Sequence, residues 1–128
     1  MQWTLEKVRH ALGDKLVGNV FMREQVCIAL LFLRPDIIER VCKTVWFISS
    51  PEDAWAFTFK GADIKKRHLI FISDELLRQT EDQIRYTILH EVGHVVLNHS
   101  NSIGYQQTES EIKHQEIEAD NFVKKYMR

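Results

Sequence analysis

Residues 80–98 read TEDQIRYTILHEVGHVVLN, and this stretch decides the fold of the 128-residue chain. Thr80, followed three residues later by Gln83, has the pattern of a capping box and predicts a helix that begins here and runs to about Asn98. Apolar residues recur at the three- and four-residue spacing of a buried helix face. They are Ile84, Ile88, Leu89, Val92, Val95 and Val96. The stretch therefore predicts a long helix that is largely buried.

Two histidines and a glutamate interrupt the apolar pattern, in the order His90-Glu91-Val92-Gly93-His94. Residues four apart lie about one turn apart on the same helix face, so both imidazoles can reach one ion. Burying these polar groups without a role would be costly. Gly93 is a poor helix former, which indicates that something approaches the backbone closely. The pattern predicts a zinc site, with Glu91 as the base for a zinc-bound water.

A zinc site that keeps one position open for water needs a third protein ligand. Residues 108–111 (TESE) match a second capping box and predict a helix to near the end of the chain. At about 100° per residue, with Ile112 at zero, Glu116 falls at about 40° and Asp120 at about 80°. The predicted buried arc also contains Ala119, Val123, Tyr126 and Met127. Glu116 is therefore the predicted ligand, and Glu118 is the alternative if the helix is rotated.

Asp120 lies one turn after Glu116 on the same side of this predicted helix. From there its carboxylate can accept a hydrogen bond from the far nitrogen of a ligand histidine, which fixes the tautomer of that imidazole. The alternative is an ordinary exposed charge near a helix end. We favour the supporting role at the metal site.

The rest of the chain predicts helices followed by a small sheet. Leu5, Val8, Leu12 and Leu16 recur at helical spacing up to Gly18-Asn19, residues 22–33 form a second helical pattern, and Pro35 suits the start of a third. β-branched and aromatic runs predict three strands, and Ser73-Asp74-Glu75 predicts a short helix. The runs cover residues 44–48, 54–59 and 68–72. The order predicts an α+β fold in a single domain, 1–128, with a helical part over 1–43 and the sheet and metal core over 44–128.

Composition narrows the partners and the compartment. A formal net charge of -1 excludes a general attraction to nucleic acid or to anionic membranes. The longest apolar run, residues 26–33, is too short to span a bilayer. Cys27 and Cys42 lie in apolar, helix-like sequence and are predicted to be buried free thiols. Because no secretory signal is visible at the N-terminus, we expect a protein of the reducing cytoplasm.

The metal motif and the last predicted helix together resemble a known family. HEVGH at 90–94 followed by EIEAD at 116–120 looks like the gluzincin metallopeptidases. The second segment, extended to Phe122, is also similar to the ImmA/IrrE group of bacterial and phage peptidases. The size of the chain and residues 70–77 (IFISDELL) look like the minigluzincins, which are minimal domains of this kind. The resemblance covers about residues 45–122.

This resemblance implies a site, a cofactor and a substrate. It implies that zinc is held by His90, His94 and Glu116. It also implies that Glu91 is the general base and that Asp120 orients His90. It also implies a peptide or protein substrate that pairs in extended form with the edge strand of the sheet. Residues 54–59 are the candidate edge, although an ordinary strand explains them equally well.

One part of the family pattern has no clear counterpart here. Larger gluzincins supply a Tyr or His that stabilises the oxyanion. Tyr105 and His99 are the nearby candidates, with a packed loop residue and a helix C-terminal histidine as the alternative interpretations. Two functions stay open: a zinc-dependent endopeptidase, active or latent, and a non-catalytic zinc-containing regulatory or protein-binding module of the same fold. Glu91 favours the enzyme, because a structural zinc site needs no base.

Overall fold

A computed structural model describes residues 2–50, 56–60, 68–99 and 108–127, with the backbone alone over 56–60. It has helices on either side of a small sheet in chain order, which is the predicted α+β class. The elements are α1 (Leu5–Leu12), β1 (Leu16–Val17), α2 (Val20–Leu30), α3 (Pro35–Thr44), β2 (Val45–Ser50), β3 (Ala56–Lys60), β4 (His68–Ser73), α4 (Asp74–Leu77), α5 (Glu81–Val96) and α6 (Glu109–Tyr126).

The first helix is shorter than its apolar spacing predicts. Gly13 has a φ of 51°, in the left-handed region that favours glycine, and it ends α1 immediately after Leu12. A short 3-10 turn follows, and Leu16 then lies in β1 rather than in the helix. Leu16 is still buried, so the predicted burial is right and the predicted helix is wrong at this residue.

The sheet has the strand order β1-β2-β4-β3 among the described residues. β1 pairs with β2 and β2 with β4 in parallel, whereas β3 pairs antiparallel with β4. The three predicted strands are present, with boundaries that differ by at most two residues where the chain is described, and β1 is a fourth that the sequence did not reveal. β3 lies at one end of the order, which is the edge position expected for residues 54–59; residues 54 and 55 lie outside the described chain.

The cap residues of the C-terminal helices lie where the sequence predicts them. The hydroxyl oxygen of Thr80 accepts from the backbone N–H of Gln83 at 3.2 Å, which satisfies one of the exposed amides at the start of α5. The side-chain amide of Gln83 donates to the Thr87 hydroxyl at 3.0 Å, one turn further along α5. Thr108 caps α6 and Ser73 caps α4 in the same way. These caps set the point at which each helix begins.

The core forms around α5. The four residues Ile84, Ile88, Leu89 and Val92 have no exposed surface. Each such side chain stabilises the fold by about 1.5–3 kcal/mol relative to an exposed one. They belong to one apolar cluster with side chains from every helix and from three strands. The long helix is therefore fixed on several sides, and the residues that it presents at its remaining face are held rigidly.

A buried polar contact sets the position of α5 against α2. Gln25 is 2% exposed; its carbonyl accepts from Nε of Arg85 at 3.2 Å, and its amide donates to Glu81 at 3.3 Å. Because a buried amide must be paired to avoid a desolvation penalty, this arrangement favours one register between the two helices.

The two cysteines are buried free thiols, as predicted. Burial raises the pKa of Cys27 and of Cys42 to about 11. Among the described helices, none is long and apolar enough to cross a membrane.

Candidate metal centre

His90 and His94 lie one turn apart on α5 and face the same point. Their rings meet edge to face with centroids 4.8 Å apart, and their Nε2 atoms are 3.2 Å from each other. The two side chains are 15% and 13% exposed, so they lie at the boundary between the core and solvent. The i, i+4 spacing thus brings two imidazole nitrogens together.

Glu116 of α6 completes the cluster. Its Oε2 lies 2.8 Å from Nε2 of His90, and its Oε1 lies 3.1 Å from Nε2 of His94. One ligand atom from each of these three residues lies within 4.8 Å of the others, so the group could hold a metal ion. The alternative ligand, Glu118, is not in this group.

The buried face of α6 differs from the predicted arc. Ile112, which defined the centre of that arc, is 46% exposed, whereas Phe122 is buried beside Ala119 and Val123. Only the C-terminal half of α6 packs into the core, because its first turns extend past the end of the apolar cluster. Glu116 is consequently 53% exposed and reaches the histidines from the flank of the helix.

Asp120 lies beside His90. Its Oδ1 is 3.0 Å from Nδ1 of His90, and it also accepts from the hydroxyl of Tyr86 at 2.8 Å. A carboxylate only accepts, so the contact with Asp120 favours a proton on Nδ1 of His90, which would leave the Nε2 lone pair for a metal in the cluster. The sequence analysis did not predict this role for Tyr86. Helical spacing could have indicated it, because Tyr86 lies one turn before His90 on the same face of α5.

Gly93 explains how α6 comes so close to α5. A methyl group on this residue would lie 3.0 Å from Cδ1 of Phe122, so the ring occupies the space that a side chain would need. The group that approaches the backbone at Gly93, as the sequence predicted, is thus a side chain of α6. This packing lets the carboxylates of Glu116 and Asp120 reach imidazoles on the neighbouring helix.

His99 and Glu118 form a further contact at the site that sequence reasoning did not predict. Nδ1 of His99 is 2.8 Å from Nδ1 of His94, and Nε2 of His99 is 3.1 Å from Oε1 of Glu118. The spacing from His94 to His99 is not a helical one, so the periodicity of α5 gives no indication of this contact. His99 faces the outer side of a ligand imidazole rather than the open side of the cluster.

The electrostatic surroundings favour a neutral imidazole at His94. Burial lowers the pKa of His94; Glu116 acts in the opposite direction, and His90 and His99 add to the lowering. A metal binds the neutral form of histidine, so this shift reduces competition from protons. Burial and the hydrogen bond to Asp120 raise the pKa of Tyr86 to about 12, so its hydroxyl stays a donor.

The remaining predicted site residues are Glu91 and Tyr105. Glu91 is half-buried on α5, directly after His90 in the chain. Tyr105 lies outside the described residues. The site as described therefore consists of a cluster of possible ligands, the hydrogen-bonded groups behind them and one carboxylate next in sequence.

The donor set fits zinc. Two imidazole nitrogens and one carboxylate are a common protein ligand set of catalytic zinc sites, which keep a fourth position for water or substrate. Both Nδ1 atoms of His90 and His94 are engaged on the side away from the cluster, so both Nε2 atoms are left to face it. Protons on both Nδ1 atoms would give the tautomers that a metal site requires.

Comparison with known proteins supports a peptidase. The model of the family Peptidase U49 matches residues 81–127, the stretch that begins with α5 and ends just after α6. No curated protein and no solved structure matches the chain. The similarity falls on the two helices that carry every residue of the cluster.

Proposed function

We propose that this protein is a zinc-dependent peptidase, with the metal held by His90, His94 and Glu116. The observation that carries the proposal is the convergence of Nε2 of both histidines with the Glu116 carboxylate, within 4.8 Å of one another. The match of residues 81–127 to a peptidase family supports the reaction class independently of this geometry.

Zinc, when bound, supplies a Lewis acid that polarises the scissile carbonyl and lowers the pKa of water. The protein residues supply the rest. Glu91 accepts a proton from the attacking water and returns it to the leaving nitrogen, so that the peptide bond breaks and one molecule of water is consumed. Asp120 holds the ring of His90 in the ligating tautomer through its contact at Nδ1.

The substrate in this proposal is a peptide or protein segment in extended form. β3 lies at the edge of the sheet and packs near α5, which carries the histidines. An extended peptide can add to such an edge through main-chain hydrogen bonds.

Peptides with N-methylated amides test this binding mode. Alternate amides of a bound strand face the edge, so methyl groups on one of the two alternating sets should slow cleavage relative to the unmodified peptide. Equal cleavage of all forms would contradict binding at the edge.

Metal analysis of purified protein tests the site. The wild type should carry one zinc per chain, and His90→Ala and His94→Ala should carry none, because two ligands do not retain the ion. His10→Ala, which removes an exposed histidine of α1, is the control and should keep the metal. Zinc retained by both site variants would show that the metal lies elsewhere.

Cleavage of a peptide library tests the reaction. Glu91→Gln should keep zinc and lose cleavage by a factor of about 10²–10⁴, since it removes the base. Glu6→Gln, an exposed change on α1, is the matched control and should cleave normally. Equal cleavage by wild type and Glu91→Gln would sink the catalytic assignment. Zinc without any cleavage by the wild type would favour the non-catalytic regulatory module.

A further inference from the structure

The turn that follows α5 has the geometry of a Schellman motif. Asn98 has a φ of 58°, in the left-handed region, and its N–H donates to the carbonyl of Val95 at 3.1 Å. The N–H of His99 donates to the carbonyl of His94 at 2.9 Å. These are the two hydrogen bonds of the motif, and they reverse the chain at the helix end. The backbone of His99 is thereby fixed over His94.

The same two residues also meet through their side chains. Nδ1 of His99 lies 2.8 Å from Nδ1 of His94, and the imidazole of His99 is 7% exposed. Backbone and side chain of His99 thus both contact a single residue, which is one of the proposed zinc ligands. The turn after the helix places this imidazole where no periodic position of α5 could place it.

The contacts from Glu118 to His99 and from His99 to His94 restrict which ring nitrogens can carry protons. The Glu118 carboxylate lies 3.1 Å from Nε2 of His99 and can only accept, so that nitrogen donates. Neutral His99 then has an accepting Nδ1, and the proton between the two rings belongs to Nδ1 of His94. With a metal in the cluster, the far nitrogen of His94, Nε2, would then offer its lone pair to that metal.

We infer that His99 and Glu118 are positioning residues that hold His94 in the ligating tautomer and orientation. The inference rests on the proposed zinc site and goes beyond it, because neither residue is a ligand. It gives the second histidine a support separate from the one that Asp120 gives the first. Each line of contacts ends at a carboxylate of α6: Asp120 contacts His90 directly, and Glu118 reaches His94 through His99 of the turn after α5.

Zinc affinity, measured by competition with a chelator, is the main test. His99→Phe keeps an aromatic ring and removes the acceptor, and we expect zinc to bind about 10- to 100-fold more weakly. His99→Asn offers an amide oxygen near the position of Nδ1 and should recover part of that loss. Glu118→Ala, a change at a partly exposed residue, should weaken binding in the same direction without threatening the fold.

His114 supplies a matched control. It is 74% exposed and lies 3.4 Å from the same Glu118 carboxylate, but it does not touch His94. His114→Ala should leave zinc affinity unchanged. A loss equal to that of His99→Phe would show that the charge around Glu118, rather than the contact with His94, controls affinity, and would overturn the inference.

The backbone turn provides an independent variant pair. Asn98→Gly keeps the left-handed conformation and should bind zinc more tightly than Asn98→Val. Asn98→Val disfavours that conformation, displaces His99 and should weaken zinc binding. Equal affinity in the two variants would contradict the role given to the turn.

The tautomer of His94 in the zinc-free protein gives a readout that does not depend on activity or metal. Nitrogen NMR of the zinc-free Glu116→Ala protein, which lacks the carboxylate that lies 3.1 Å from Nε2 of His94, should show Nδ1 of His94 protonated. This preference should be lost when His99→Phe is added. A wild type that carries no zinc would refute the proposed metal site. A wild type that binds zinc as tightly as His99→Phe and Glu118→Ala would refute the positioning role alone.

Discussion

At the scale of single residues, the two histidines of the proposed metal site are supported by different neighbours. His90 and His94 lie on the same face of one helix but have different neighbours. His90 contacts Asp120, which is also bonded to Tyr86, whereas His94 contacts His99. Their supports differ because α6 crosses near the first and the turn after α5 folds over the second. Removing either support should affect the metal without removing a ligand.

The pH dependence of the zinc-free protein follows from His94. Its pKa is lowered from an ordinary value of 6.5, mainly by burial, so the folded protein takes up this proton less readily than the unfolded chain. The stabilisation is present above about pH 6.5 and is lost as the pH falls through the lower pKa of the folded state. Urea unfolding of the zinc-free wild type should therefore weaken more steeply between pH 7 and 5 than that of His94→Gln. Parallel profiles would contradict this account.

At the scale of elements, the site depends on the distance between α5 and α6. Residues from both helices form the cluster, and their separation is set where the Phe122 ring lies against Gly93. Sequence spacing predicts which residues each helix can offer, but it does not predict how closely the helices pack. The exposed first turns of α6 show the same point, since their burial was expected from periodicity and is not observed.

Gly93→Ala tests this dependence. The added methyl group would lie 3.0 Å from the Phe122 ring, so the ring or α6 must shift. Overpacking costs about 1–3 kcal/mol, whereas alanine gains about 1 kcal/mol over glycine within a helix. We expect the free energy of unfolding to change by less than about 2 kcal/mol while zinc affinity falls. Phe122→Leu on the Gly93→Ala background should restore part of the affinity; unchanged affinity in Gly93→Ala would refute the spacing argument.

At the scale of the whole molecule, the apolar core and the proposed metal site are formed by different residues. The core cluster reaches from Val8 of α1 to Val123 of α6, and the described chain buries it without using the proposed ligands. The metal cluster lies at the edge of this core, with its histidines partly exposed. The fold should therefore survive without zinc, although α6 loses one of its attachments.

Removal of zinc with a chelator tests this separation. The melting temperature should fall but a cooperative transition should remain, since ligand binding at a free concentration of 100 Kd stabilises by only about 2.7 kcal/mol. His94→Ala should show no shift on addition of the chelator. Complete unfolding of the wild type would show that the core does not suffice, and an equal shift in the variant would show that the chelator acts by another route.

The sequence by itself determined the elements and the donor residues. Helix caps such as Thr80, the apolar spacing of α5 and the four-residue step from His90 to His94 are local, because they depend on backbone geometry within one or two turns. Strand composition predicted three of the four described strands. The apolar spacing carried the first predicted helix past Gly13, although this glycine is the residue that ends α1.

Only the tertiary structure decided which donors meet. The contact of His99 with His94 depends on the turn after α5. Helical spacing favoured Glu116 over Glu118, but the meeting of Glu116 with the histidines and of Tyr86 with Asp120 depends on the crossing and separation of α5 and α6. Those quantities come from side-chain packing between segments distant in sequence, including the fit of Phe122 on Gly93. A hydrogen bond or a metal ligand requires atoms placed within a few tenths of an ångström, and local periodicity does not define positions to that accuracy.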